Sequence, residues 1–113
     1  MYLRIVRTTI APGQSEAYWA WSRDILDLWD AHHIRRAGGP FVTTDAAGDE
    51  IAIWTTVHDT AEEMTTEFRS MYSTDRGKEL IAQRPPLVKA TAVSSYPTWD
   101  QRGDAAPPDT PVW

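Results

Sequence analysis

The chain lacks cysteine, a long apolar run and a surplus of basic residues. With no cysteine among 113 residues, it cannot form disulfides, thiolate metal sites or a catalytic thiol. No apolar segment approaches the roughly 20 residues of a membrane-spanning helix. The net charge is −5, whereas nucleic-acid binding normally needs a basic face. A strand begins almost at the first residue, so we expect no signal peptide. Together these features predict a cytoplasmic protein without membrane or nucleic-acid partners.

Aromatic residues are plentiful, and three of the six tryptophans fall in one predicted helix between Pro12 and His33. Pro12-Gly13 breaks the preceding segment, and Ser15 is the predicted N-cap. Residues recurring at steps of three or four indicate one buried helical face; they are Tyr18, Trp21, Ile25, Leu28, Trp29 and His32. This face is predicted to form hydrophobic core. Its aromatic content and its end at His32, a side chain type that can accept and donate protons, also suit the wall of a ligand pocket.

The rest of the chain alternates strand and helix signals. β-Branched and apolar runs predict strands at Tyr2–Ile10, Phe41–Thr44, Ile51–Val57 and Val88–Tyr96. Thr60 and Glu63 match a capping box, so a second helix is predicted from Ala61, with a possible interruption at Gly77. We therefore expect one domain over residues 1–96 and a proline-rich tail over residues 97–113.

This β-α-β-β-α-β order is typical of the α+β ferredoxin-like arrangement, in which a four-stranded antiparallel sheet carries both helices on one face. Both faces of the predicted third strand are apolar, because Ile53 and Val57 alternate with Ala52 and Trp54. A sheet with one face in water normally alternates apolar and polar residues. We therefore expect a second copy to cover the other face, giving a homodimer through the sheet.

Three stretches carry a family resemblance. Val6–Gly13 is a strand running into Pro-Gly before a helix, Trp54–Glu63 is a strand running into a capped helix, and Gly38–Phe41 leads into a short strand. Over residues 2–96 the chain resembles the dimeric α+β-barrel superfamily. That group includes antibiotic-biosynthesis monooxygenases, NIPSNAP proteins, small polyketide cyclases, muconolactone isomerases and haem-degrading monooxygenases. The resemblance implies the fold of a dimeric α+β barrel, and it implies several alternative reactions because this fold hosts many chemistries.

The histidines are the candidate acid–base residues. His32 at the end of the aromatic face and His58 ahead of the second helix are predicted to be catalytic. Their alternative roles are a helix C-cap or core histidine for His32 and a loop histidine for His58. No metal site is predicted, because the adjacent His32 and His33 point about 100° apart on a helix. The predicted substrate-binding residues are Arg7, Tyr18, Trp21, Ile25, Trp29, Trp54, Phe68 and Tyr72.

A flat, apolar pocket with few polar groups suits a small aromatic molecule. The leading hypothesis is a small enzyme that needs no cofactor and acts on an aromatic or enolisable, polyketide-like substrate as a monooxygenase of secondary metabolism. A cyclase or isomerase would share the same first step, removal of a proton beside a carbonyl or phenol. A non-catalytic binding or accessory protein is the alternative from a different class.

Overall fold

The structure is a computed structural model that describes residues 1–101. Its elements are β1 (Tyr2–Ile10), α1 (Ser15–Ala31), β2 (Phe41–Thr44), β3 (Glu50–His58), α2 (Ala61–Tyr72), α3 (Asp75–Gln83) and β4 (Val88–Pro97), with short 3-10 turns at Pro85–Leu87 and Trp99–Gln101. The strands form one antiparallel sheet in the order β2-β3-β1-β4. The predicted ferredoxin-like fold is therefore confirmed. Most of the predicted proline-rich tail lies outside the described residues.

The long helix begins and ends slightly inside its predicted bounds. Gln14 is the N-cap and makes no side-chain capping bond, so the prediction of Ser15 as the cap was wrong by one residue. At the other end, His32 is the C-cap, and its backbone N–H donates to the carbonyl oxygens of Leu28 and Trp29. The apolar period of the sequence thus continues one residue beyond the helix.

The second helical segment divides before Gly77 rather than at it. Thr60 caps α2 as predicted, because its hydroxyl accepts from the N–H of Glu63 at 3.0 Å. Thr74 caps α3 in the same way, accepting from the N–H of Gly77 at 3.0 Å. A Cβ on Gly77 would overlap the backbone of α2, lying 2.7 Å from the Cα of Tyr72. Glycine is therefore required by the tight turn between the two helices, not by a break in α3.

The two faces of the sheet differ in what covers them. Alternate side chains of β1 are buried on the helix-covered face: Tyr2, Arg4, Val6, Thr8 and Ile10. Their partners on β3 are His58, Thr56, Trp54 and Ala52. The opposite face carries Leu3, Ile5, Ile53 and Val57, which are only partly buried, and nothing among the described residues forms a layer over them. We call this second surface the open face.

One edge of the sheet is short. β2 has four residues, all exposed, and it pairs with only the first half of β3. Beside the second half of β3, the N–H of Val57 donates to the carbonyl of Arg35 at 3.0 Å. The Thr55 hydroxyl donates to the carbonyl of Gly38 at 2.8 Å. The segment before β2 therefore occupies the part of this edge that β2 does not reach.

Candidate functional site

The layer between the sheet and the helices contains paired tryptophan and tyrosine side chains. Trp54 Nε1 donates to the Tyr18 hydroxyl at 2.8 Å, and Trp29 Nε1 donates to the Tyr72 hydroxyl at 2.9 Å. All four rings are buried. These hydrogen bonds satisfy groups that would be costly to bury alone, and they hold both phenols in fixed positions above the sheet.

Arg4 is the unusual residue of this layer. It projects from the middle of β1 toward the helices and is only 4% exposed. Its guanidinium lies over the Phe68 ring, 4.5 Å from the ring centroid, yet neither Nη1 nor Nη2 has a hydrogen-bond partner among the described residues. Burial lowers the pKa of Arg4 to about 10, so it remains charged at neutral pH. A buried cation without polar partners costs stability and requires an explanation.

The surroundings of Arg4 are polar and positively charged. Ser95 on β4 is the strand partner of Arg4 on β1. Its buried hydroxyl also has no hydrogen-bond partner among the described residues. Arg84, which donates to the Thr91 hydroxyl at 2.7 Å, adds a second positive charge and helps lower the pKa of Arg4. Burial raises the pKa of Tyr72, while the two arginines oppose that rise. The local field therefore favours an anion.

A line of hydrogen bonds runs beside this cluster. His58, the last residue of β3, is fully buried. Its Nδ1 lies 2.7 Å from Glu67 Oε2, and its Nε2 lies 2.9 Å from Thr56 Oγ1. Burial lowers the pKa of His58, and the Glu67 carboxylate opposes part of that effect. The neutral ring therefore donates from Nδ1 to Glu67 and accepts at Nε2 from the Thr56 hydroxyl.

Two residues predicted for the site lie elsewhere. His32 is exposed, because α1 ends at Ala31 and the chain turns away from the core. The expectation that His32 closes a buried pocket is therefore wrong, and its backbone role is that of a helix C-cap. Arg7 is also exposed. It is an odd residue of β1 and so points to the open face, away from the helices.

The remaining predicted residues do lie together in the layer between sheet and helices, all of them buried: Tyr18, Trp21, Ile25, Trp29, Trp54, His58, Phe68 and Tyr72. Arg4, Arg84, Thr56 and Glu67 were missed. Arg4 is an even residue of β1, on the same face as Tyr2 and Val6. The alternation of the strand groups Arg4 with these residues on one face, but only the packing shows that the helices cover that face.

Within residues 1–101, no three histidine, aspartate or glutamate side chains are grouped in a way that would hold a metal ion. None of the helices described is both long and apolar enough to span a membrane.

The fold is shared with proteins of known structure. Its sheet order and its helical layer over one face define a ferredoxin-like α+β protein. It is similar to an uncharacterised NIPSNAP domain protein from Burkholderia xenovorans, with a TM-score of 0.70 and 10% identity over 86% of this chain and 93% of that chain.

Two further similar structures are described as putative antibiotic biosynthesis monooxygenases. The one from Nitrosomonas europaea has a TM-score of 0.59 and 11% identity over 88% of this chain and 99% of that chain. The one from Chloroflexus aurantiacus has a TM-score of 0.53 and 22% identity over 84% of this chain and 89% of that chain. No protein-family model matches the chain, and no curated protein matches it. At these identities the likeness establishes the fold, not the reaction.

Proposed function

We propose that this protein is a small enzyme that needs no cofactor and oxygenates a flat enolisable or phenolic molecule. The molecule binds between the sheet and the helices, with its anionic oxygen on Arg4. The observation that carries the proposal is the buried guanidinium of Arg4, whose two terminal nitrogens have no hydrogen-bond partner within residues 1–101. An enolate, phenolate or carboxylate oxygen supplies the charge and the acceptors that this group requires. Oxygenation is proposed by analogy, because two structures of the same fold are described as putative antibiotic biosynthesis monooxygenases.

The Phe68 ring beneath Arg4 belongs to a group of neighbouring aromatic side chains that suits an aromatic ligand. Phe68, Trp29 and Trp54 lie next to one another, with centroid separations of 6.0 Å and 5.2 Å from Trp29. Such surfaces bind flat apolar rings, while a few polar groups fix the orientation. Arg4 and the Ser95 hydroxyl, strand partners on β1 and β4, are polar groups available on the sheet. A ligand therefore places its rings against the aromatic side chains and its oxygen toward β1 and β4.

Anthrone illustrates the proposed reaction. Loss of one proton from the carbon opposite its carbonyl gives an enolate, which Arg4 stabilises through the oxygen. The enolate is electron-rich enough to react with molecular oxygen, and the overall change is anthrone plus one O₂ to anthraquinone plus one water. The protein's contribution in this scheme is to lower the cost of the anion and to hold it away from bulk water.

The first prediction concerns the anion. Anthracene carboxylate, a fluorescent ligand with one anionic group, is expected to bind the protein, and Arg4→Gln is expected to weaken that binding by about 10- to 100-fold, the loss of one charge-assisted contact. Arg7→Gln, on the open face of the same strand, is the matched control and is expected to leave affinity unchanged. Fluorescence titration measures both. Equal affinities for Arg4→Gln and the unchanged protein would contradict the assignment.

Oxygen uptake tests the reaction separately from binding. With anthrone and no added flavin, haem or metal, we expect one O₂ consumed for each anthraquinone formed, and little consumption by Arg4→Gln. Anthrone that binds and exchanges its methylene protons without oxygen uptake would instead indicate an isomerase-type or cyclase-type reaction. Binding with neither exchange nor uptake would indicate a binding protein.

We also propose that a second copy of the chain covers the open face. Leu3, Ile5, Ile53 and Val57 are contiguous there, and a water-facing sheet surface of this kind is rarely left bare. Phe41 and Tyr96, which are 52% and 54% exposed, extend the same apolar surface onto β2 and β4. A sheet-to-sheet contact about a two-fold axis covers the open face of both copies with the same residues.

Light scattering tests this association. The chain mass is 12.8 kDa, and we expect about twice that mass at micromolar concentration, since an apolar sheet interface is of the obligate kind. A single-chain mass that stays constant with concentration would show that the open face is not a homodimer interface.

A further inference from the structure

The proposed reaction needs a group that takes a proton from the ligand, and Arg4 cannot serve because it remains protonated. His58 is neutral and close by, since its ring lies 5.2 Å from the ring of Phe68, over which the Arg4 guanidinium also lies. Both ring nitrogens of His58 are, however, already hydrogen-bonded, to Glu67 and Thr56. His58 therefore does not face a ligand directly.

Thr56 lies between His58 and the ligand position at Arg4. It pairs directly with Arg4 across β1 and β3, so the two side chains are neighbours on the same face, with Cβ atoms typically about 5 Å apart. Its hydroxyl is buried and donates to His58 Nε2. The oxygen retains a free acceptor position, because a hydroxyl has two lone pairs and one proton. Thr56 thus stands between the histidine and the position assigned to the ligand oxygen and its acidic carbon.

Glu67 connects the other end of the line to solvent. Its carboxylate accepts from His58 Nδ1, and its side chain is 39% exposed, whereas that of His58 is fully buried. A half-exposed carboxylate exchanges protons with water rapidly. The three residues therefore form one continuous path from bulk water, through the buried imidazole, to the row of side chains that contains Arg4.

We propose that Thr56, His58 and Glu67 form a proton path that deprotonates the ligand held at Arg4. The proton leaves the ligand carbon for Thr56 Oγ1 as the original hydroxyl proton passes to His58 Nε2. The ligand becomes an enolate paired with Arg4, and His58 becomes an imidazolium whose Nδ1–H is held by the Glu67 carboxylate. The imidazolium then returns one proton along the same path, to the ligand carbon during exchange or to the peroxide anion formed after oxygen addition, which restores Thr56 and His58. The path itself exchanges no electrons. This inference rests on the proposed function, because it takes the ligand position from Arg4.

The charges facing His58 set how this path depends on pH. Glu67 on α2 favours the imidazolium, while Arg4 on β1 and Arg35 before β2 disfavour it, and burial disfavours it most. Tyr2, on β1, is the direct strand partner of His58. The base is the neutral ring. The rate of proton removal is therefore expected to rise with pH through a pKa below the ordinary histidine value of about 6.5 and then to level off.

Anaerobic deuterium exchange at the methylene carbon of anthrone measures the proposed step without oxygen chemistry. Thr56→Val, which removes the hydroxyl and keeps the shape, is expected to slow exchange by at least about 100-fold, the usual contribution of a positioned acid–base group. Thr56→Ser restores the hydroxyl and is expected to recover most of the rate. Thr55→Val is the control, because Thr55 is the neighbouring residue on the opposite face.

Glu67→Gln separates a proton path from a structural role. Glutamine still accepts from His58 Nδ1, so the ring stays in place, but the negative charge that stabilises the imidazolium is lost. The rising limb of the exchange rate is therefore expected to move to lower pH, with a lower plateau. If exchange were slower but its rise with pH occurred at an unchanged pH, Glu67 would only position the ring, and its part in the path would be overturned.

Binding of anthracene carboxylate to each variant keeps the two proposals distinguishable. Tight binding by Thr56→Val together with slow exchange is the expected result. Tight binding with an unchanged exchange rate would overturn the proton path while leaving the Arg4 site standing. Failure of the unsubstituted protein to bind the carboxylate would overturn the site itself, and with it the path.

Discussion

Arg4→Met is expected to make the protein more stable and unable to bind its ligand. The buried guanidinium is desolvated and its two terminal nitrogens have no acceptors among the described residues, a cost of several kcal/mol. The cation–π contact with Phe68 offsets up to about 2 kcal/mol of that cost. Methionine fills similar space and also packs well against an aromatic ring. We expect a net gain of about 1–2 kcal/mol in the free energy of unfolding.

Denaturant unfolding with and without anthracene carboxylate measures both effects. The ligand should raise the free energy of unfolding of the unsubstituted protein, as any ligand of the native state does. Arg4→Met should have a higher free energy of unfolding without ligand, and the ligand should not raise it further. Arg23→Met is the control, because Arg23 is exposed on α1, outside the proposed sheet-to-sheet interface, and its loss relieves no buried charge. If Arg4→Met were clearly destabilised, Arg4 would have to be regarded as structural, and the anion site would lose its main support.

Substitutions at two neighbouring residues of β3 are expected to have different effects, one on folding and one on association. Trp54→Ala removes a side chain that is 1% exposed and leaves the Tyr18 hydroxyl without its donor. We expect a loss of about 3–5 kcal/mol, enough to unfold much of a domain of this size at moderate temperature. Ile53→Asp instead places a charge on the open face, so the fold should survive while the measured mass falls to that of one chain.

Circular dichroism and light scattering on the two variants separate these outcomes. Because a one-residue step along a strand changes the face, the pair tests the orientation of β3 as well as the proposed interface. A folded Ile53→Asp protein that kept the mass of two chains would mean that the open face is not buried between copies. An unaffected Trp54→Ala protein would contradict the packing of the helical layer.

Local signals in the sequence located the elements well. Pro12-Gly13 and Pro85-Pro86 bound their segments, and the capping box at Thr60 placed the start of α2 correctly. These signals act over three or four residues, so they do not depend on the rest of the molecule. The aromatic period of α1 also identified its buried face, because the helical repeat alone decides which residues share a side.

The site was harder to predict, since it depends on which face of the sheet the helices cover. Arg4 and Arg7 are equally plausible in a strand whose two faces are both apolar, and only the observed packing buries Arg4. The ending of α1 at Ala31 exposes His32, although the sequence period continues through it. His58 and Glu67 meet across a strand, a turn and a helix, and no periodicity of one element connects them.

The shortness of β2 has a consequence for how copies of the chain associate. A sheet edge with unpaired backbone groups is a template on which another chain can add a strand. Four residues of β2, flanked by the segment that contacts Thr55 and Val57, offer too little backbone for such addition. β4 has ten residues, and on its outer side no other strand within residues 1–101 pairs with it. Edge-to-edge growth that starts at β4 has no comparable second edge on which to continue, so the fold is protected against fibre formation by the smallest strand it contains.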